Sequence, residues 1–85
     1  MQVLIPSSLR SYTRALKVEA TGATLGAVLA DLDRQFPGLR FRMVDEQDRL
    51  RAHMRVFIEG RAIHDLAHPV RPGVDVNIVQ ALSGG

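Results

Sequence analysis

The sequence contains no cysteine. Disulfides, thiolate metal sites and cysteine nucleophiles are thereby excluded, so neither stability nor chemistry comes from side-chain thiols. That absence agrees with a cytoplasmic protein, the location we expect. Long apolar runs are missing too: no segment approaches the roughly 18 residues of a membrane span, and no basic stretch leading into an apolar core opens the chain. We therefore expect no membrane insertion and no secretion by the usual route. Aromatic side chains are scarce, with Tyr12, Phe36, Phe41 and Phe57 the whole supply, too few to build the stacking platforms that single-stranded nucleic acid needs. Lysine is scarcer still: Lys17 stands alone beside ten arginines. Those arginines raise the pI to about 9.9, but they alternate with acids and the net charge is only +2. No nucleic-acid partner is expected.

What is present suits one small folded domain. The 85 residues are 46% apolar and 24% charged, enough for a single modest core of mostly aliphatic side chains. Gln2 to Ile5 reads as a strand stopped by Pro6 and a turn-rich Ser7-Ser8 connection. Ala15 to Ala20 alternates, with Leu16, Val18 and Ala20 on the buried side, and pairs with the first strand as a hairpin. Thr24 is a helix N-cap, and Leu25, Val28, Leu29, Leu32 and Phe36 form one helical stripe that must pack on a sheet before Pro37-Gly38 ends the helix. The mixed stretch from Gly38 to Arg55 reads as a long irregular connection. Met54 to Glu59 alternates again, Ala62-Ile63 is a short strand, and His64 to Arg71 is a loop or a single helical turn. The last strand runs from Val74 to Ala81 with Val74, Val76 and Ile78 facing the core.

The chain then gives Leu82-Ser83-Gly84-Gly85. Glycine gains nothing from burial and costs the most entropy to order, so two in a row suit an end that must lie extended in a channel too narrow for any Cβ. The group they present is the α-carboxylate of Gly85. At an average glycine usage of about 7%, a terminal pair arises by chance in roughly 0.5% of chains, so its weight depends on the domain before it.

A hairpin, one long helix, two further strands and a last strand running into Gly-Gly resemble the ubiquitin-like β-grasp fold, and more narrowly the bacterial sulfur carriers. The resemblance is carried by Ile5-Pro6-Ser7-Ser8-Leu9-Arg10, Thr24-Leu25-Gly26-Ala27-Val28-Leu29, Val56-Phe57-Ile58-Glu59-Gly60 and the run from Val76 to Gly85. These look like the small subunit of molybdopterin synthase and the carriers that donate sulfur in thiamine, cysteine or other small-molecule synthesis. The resemblance implies an α+β fold, a mixed sheet of four to five strands on one main helix, with residues 1–81 as the domain and 82–85 as a flexible tail. It implies a sulfur carrier that is not itself an enzyme, binds no cofactor and holds no catalytic side chain. A ubiquitin-activating-type enzyme would use ATP to adenylate Gly85. Sulfur would then be carried as a C-terminal thiocarboxylate to a sulfur-accepting synthase, and a peptidase is a further partner where precursors extend past Gly-Gly. Leu82, Ser83, Gly84 and Gly85 become tail-recognition residues. Two alternatives stay open: a modifier conjugated through Gly85 to lysines of other proteins, and a non-covalent interaction module. With Lys17 alone, chain building on its own lysines is not expected.

Strand alternation puts Leu4, Phe57 and Val79 opposite the core-facing residues, and in a β-grasp sheet their strands are neighbours. We expect them to form the partner-binding patch. Isolated surface apolar residues are ordinary, which is the competing account. His64 and His68 share a metal-ligand spacing if helical, with His53 as a third donor; Pro69 opposes a helix there and no metal is expected. The arginines at 40, 42, 49, 51 and 55 form a basic rim suited to an acidic partner. Asp31, Asp33, Asp45, Glu46 and Asp48 read as solvated charge.

Overall fold

The computed structural model describes residues 1–81; the expectations placed on Leu82, Ser83, Gly84 and Gly85 lie outside the described residues. Five strands form one sheet: β1 (Gln2–Leu4), β2 (Lys17–Glu19), β3 (Met54–Ile58), β4 (Arg61–Ala62) and β5 (Val76–Gln80), in the order β2-β1-β5-β3-β4. β1 and β2 make the expected antiparallel hairpin, with Val3 opposite Val18. β5 lies parallel to β1, Val76 beside Val3, and antiparallel to β3, Val56 opposite Ile78. This is the mixed, α+β β-grasp sheet that the sequence implies.

The main helix, α2 (Leu25–Gln35), starts where the Thr24 hydroxyl accepts the Ala27 amide at 3.1 Å, satisfying one of the free first-turn donors. Leu25, Val28, Leu29 and Leu32 are fully buried against the inward residues of the sheet, Val3, Ile5, Met54, Val56, Ile58, Val76 and Ile78. Phe36 caps the helix C-terminus and packs on the edge of this core, half-buried rather than central. β3 and β4 are joined by Glu59 and Gly60, with φ of 53° and 81°, the paired left-handed conformation of a two-residue hairpin whose second position suits glycine.

Two segments differ from the sequence reading. After Pro6 the chain forms a 3-10 turn (Ser7–Leu9) running into α1 (Arg10–Thr13), because Leu9 and Thr13, four apart, are both buried. The stretch expected to be irregular from Gly38 opens with a second short helix, α3 (Leu39–Met43). Leu39 and Met43 again share one buried face, and the Asp33 carboxylate of α2 accepts the Gly38 and Arg40 amides at 3.1 Å each, capping α3 from outside. Beyond it Val44 and Leu50 bridge antiparallel. The strands are shorter than alternation predicts: β2 begins at Lys17 and leaves Leu16 50% exposed, β4 is Arg61–Ala62 with Ile63 beyond it, and β5 begins at Val76. Val74 follows the left-handed Gly73 turn and is half-buried. Residues 64–71 are loop.

Candidate docking face and tail root

Each face of the sheet follows from a period of two. On β3, Met54, Val56 and Ile58 point inward, leaving Arg55 and Phe57 outward; on β5, Val76 and Ile78 point inward, leaving Asn77 and Val79 outward. Register then sets the neighbours. Leu4 lies beside Asn77, Asn77 lies opposite Phe57, and Val79 lies opposite Arg55. Leu4, Phe57 and Val79 thus occupy adjacent strands on the face away from α2. Leu4 and Phe57 are half-buried and Val79 is 36% exposed.

The three do not form one continuous apolar surface, because Asn77 stands between Leu4 and Phe57. Phe57 and Val79 line a hollow with Val74 and Asn77, rimmed by Glu59 and Asp75. Leu4 and Val79 line a second with Leu16 and Arg10. Sequence reasoning missed Asn77 and gave Arg55 to a basic rim rather than to this face, although the alternation that selects Val79 and Phe57 selects both as well. It also placed Leu16 on the buried side. β2 is an edge strand, and Leu16, at the point where the chain enters it, lies at the open margin of the sheet.

The chain leaves β5 under restraint. Gln80 still pairs with Met54, and the Ala81 amide donates to the His53 carbonyl at 2.7 Å. The Arg55 guanidinium folds back to donate to the carbonyls of Ala52 at 2.5 Å and Met54 at 3.1 Å, holding the turn into β3. Arg51 donates to the Phe41 carbonyl at 2.8 Å and lies 4.7 Å from the centre of the Phe41 ring, a cation–π contact. Phe41 itself is 60% exposed.

Asp31, Asp33, Asp45 and Asp48 are engaged structurally. Asp45 accepts the Gln47 and Arg49 amides, and the Arg49 amide foremost, with that of Gln47, holds its pKa below the ordinary carboxylate value. The Thr21 amide and then Arg34 lower that of Asp31. Asp48 pairs with Arg40 at 3.1 Å. His64 and His68 sit on a loop, so their spacing does not place them on one helical face. Among the described residues no three His, Asp or Glu side chains gather as metal ligands, and no helix is long and apolar enough to cross a membrane.

Known proteins share this architecture along its whole length. The ThiS family profile matches residues 3–85. The chain is 33% identical over 89 aligned residues to sulfur carrier protein CysO of Mycobacterium bovis and of Mycobacterium tuberculosis, covering 98% of this chain and 96% of each relative. The Amycolatopsis orientalis BexX/CysO crystal structure superposes with a TM-score of 0.90 at 30% identity, over 99% of this chain and 98% of the other. SAMP1 of Haloferax volcanii gives a TM-score of 0.78 at 25% identity, over 100% and 98%. With a β-grasp sheet, a capped central helix and a family match that runs to Gly85, the chain belongs to the ThiS family of ubiquitin-like sulfur carriers.

Proposed function

We propose that this protein carries sulfur on its C-terminus, with the Gly85 carboxylate as the functional group. One observation carries the reading: the family match extends through residue 85, so the Gly-Gly end belongs to the pattern. A carboxylate is a poor electrophile. Attack of its oxygen on the α-phosphorus of ATP, with loss of pyrophosphate, gives an acyl-adenylate whose AMP is a good leaving group. Sulfide then displaces AMP, and the product is a thiocarboxylate that is nucleophilic at neutral pH; a persulfide donor would instead give an acyl disulfide, from which a thiol reductant must release the thiocarboxylate. The domain supplies no catalytic side chain; it presents the end. Four residues drawn extended span roughly 13 Å, at about 3.3 Å each. Gly84 and Gly85 give access to a narrow channel, and Leu82 and Ser83 are its recognition residues.

Two partners follow from that chemistry, an adenylating enzyme and a sulfur-accepting synthase, and a peptidase joins them if a precursor extends beyond Gly85. The similarity to CysO of Mycobacterium tuberculosis supports the carrier role, and the BexX/CysO complex supports docking of such a domain on a second protein. Leu4, Phe57 and Val79 are the residues we assign to that docking. The likeness to SAMP1 favours a second reading, a modifier joined to lysines of other proteins.

Intact mass of the protein, incubated with ATP, a sulfide source and an adenylating enzyme of its own organism, separates these. The carrier yields a species in which one Gly85 oxygen is replaced by sulfur, lost when Gly85 is deleted. An unmodified carboxylate overturns the carrier reading, and Gly85-dependent conjugates in lysate would put the modifier in its place.

A further inference from the structure

The net charge of the chain is concentrated at one place. Residues 40–55 hold five arginines against three carboxylates, while the rest of the chain balances six cations with six carboxylates. The whole +2 therefore sits on α3, its following loop and the start of β3. Hydrogen bonds tie that segment to the tail root: Arg51 N–H to the Met43 carbonyl at 2.8 Å, Met54 N–H to the Arg51 carbonyl at 2.9 Å, and Ala81 N–H to the His53 carbonyl at 2.7 Å. Among the described residues, the ion pairs to arginine are Arg34–Asp31, Arg40–Asp48 and Arg71–Glu59. Arg42, Arg49, Arg51 and Arg55 lie outside them. Asp48 pairs with Arg40 and Asp45 is held by loop amides, so Asp45 and Glu46 are the two carboxylates of the segment left to offset four guanidiniums.

We propose that these arginines form a collar at the tail root that steers the protein onto an acidic rim around the active-site mouth of its adenylating enzyme. The inference rests on the carrier reading above. A cationic collar and an anionic tip, up to roughly 13 Å apart when the tail is extended, are separated by more than the screening length of about 8 Å at physiological ionic strength. A partner meets them as two distinct charges. Its socket must be cationic at the floor, for the Gly85 carboxylate, and acidic at the rim, for the collar. Before activation the tail is an anion approaching a site that also holds the ATP polyphosphate, so repulsion at the tip is greatest on this encounter. Attraction at the collar opposes it. Exposed ion pairs add little affinity, typically about 0–1 kcal/mol, and their main effect is on the association rate. The signature of the collar is therefore kinetic and salt-dependent.

The test is ATP–pyrophosphate exchange by the adenylating enzyme, at about 0.02 M and about 0.5 M salt. Substrates are the wild type, Arg42→Glu/Arg49→Glu and the charge-conserving Arg42→Lys/Arg49→Lys. Both side chains are exposed, so the variants should fold, which the thermal midpoint checks. At low salt the glutamate variant should lose about tenfold in kcat/KM with kcat unchanged; the gap should close at high salt, and the lysine variant should match wild type. Equal kcat/KM for all three at both salts, with wild-type exchange intact, overturns the collar alone. Absence of wild-type exchange together with an unmodified Gly85 overturns the carrier reading and the collar with it. If exchange is unaffected but the wild type retains a random-sequence RNA oligomer that the glutamate variant releases, the collar serves nucleic acid and the proposal falls.

Discussion

Val79 and Ile78 are consecutive on β5 yet face opposite sides of the sheet, and substituting each in turn separates docking from folding. Val79 is 36% exposed and Ile78 is 2% exposed. Ile78→Ala removes buried methyl and methylene groups between the sheet and α2, a change that costs roughly 2–5 kcal/mol. For a domain of this size each kcal/mol moves the melting temperature by roughly 4–8 °C, so a drop of about 10 °C or more is expected. Val79→Asp leaves the core side chains in place and sets the new carboxylate on the strand position across from Arg55, whose guanidinium can meet it by leaving the Ala52 and Met54 carbonyls. Cross-strand pairs of opposite charge contribute roughly 0.2–1 kcal/mol, offsetting most of the lost strand propensity, and the midpoint should move by only a few degrees. If that outer face docks a partner, as proposed, the same carboxylate must be desolvated against it. A central interface residue is worth about 2 kcal/mol or more, or roughly 30-fold in affinity. The assay is KM in ATP–pyrophosphate exchange with the adenylating enzyme, measured well below either melting temperature. Val79→Asp should raise KM and spare the fold; Ile78→Ala should do the reverse. If Ile78→Ala raised KM as much as Val79→Asp, or if Val79→Asp left KM unchanged, the outer face would not be the docking surface.

Gly22→Ala should lower stability by roughly 1–3 kcal/mol, because a Cβ there would lie 2.6 Å from the Val28 amide nitrogen and 2.8 Å from the Ala27 carbonyl carbon, both backbone atoms of α2; urea denaturation measures this, and an unchanged midpoint would mean that α2 can shift without loss. Thr24→Ala, which removes the hydroxyl accepting the Ala27 amide, should cost about 1 kcal/mol in the same experiment, while Thr24→Ser keeps most of it. The carboxyls of Asp31, Asp45 and Glu59 are all held below their ordinary pKa, by the Thr21 amide, the Arg49 amide and the Arg71 side chain foremost. Their stabilisation is present above the unfolded-state value of about 4 and is lost as pH falls through the lower folded values, so the denaturation midpoint should decline below about pH 4, less steeply in Asp45→Asn. In native-state hydrogen exchange, the β5 amides should exchange only through global unfolding. Faster exchange there than in β2 would contradict the central position of β5.

The sheet and α2 were legible in the sequence because their apolar residues repeat at one clear period over several positions. On β3, Met54, Val56 and Ile58 alternate with Arg55 and Phe57, and on α2 four stripe residues follow a capping threonine. The short helices were not legible for the opposite reason. The 3-10 turn with α1, and α3, each bury a single pair four residues apart, Leu9 with Thr13 and Leu39 with Met43, and one pair cannot be told from coincidence. The cap that fixes α3 comes from Asp33 on the preceding helix, a contact that exists only once the chain has folded. On the outer face of the sheet, alternation named the right side of each strand but not the register, and register is what sets Asn77 between Leu4 and Phe57.

That register also explains why a central strand makes a suitable base for a carried group. β5 has a strand on each side, parallel β1 and antiparallel β3, and its inward Val76 and Ile78 are among the most buried residues of the core. Moving Gln80 or Ala81 would mean breaking pairing to Met54 and His53 and then disturbing the sheet at its centre, so the tail root is fixed by the stability of the whole domain. An edge strand such as β2 or β4 could fray by a residue or two and shift the root by about 3.3 Å for each. For a reaction in which one terminal carboxylate must reach a buried phosphorus, an error of that size is a large part of the roughly 13 Å that four residues span. The fold would therefore act on the proposed chemistry through position: the core holds β5, and β5 holds Ala81.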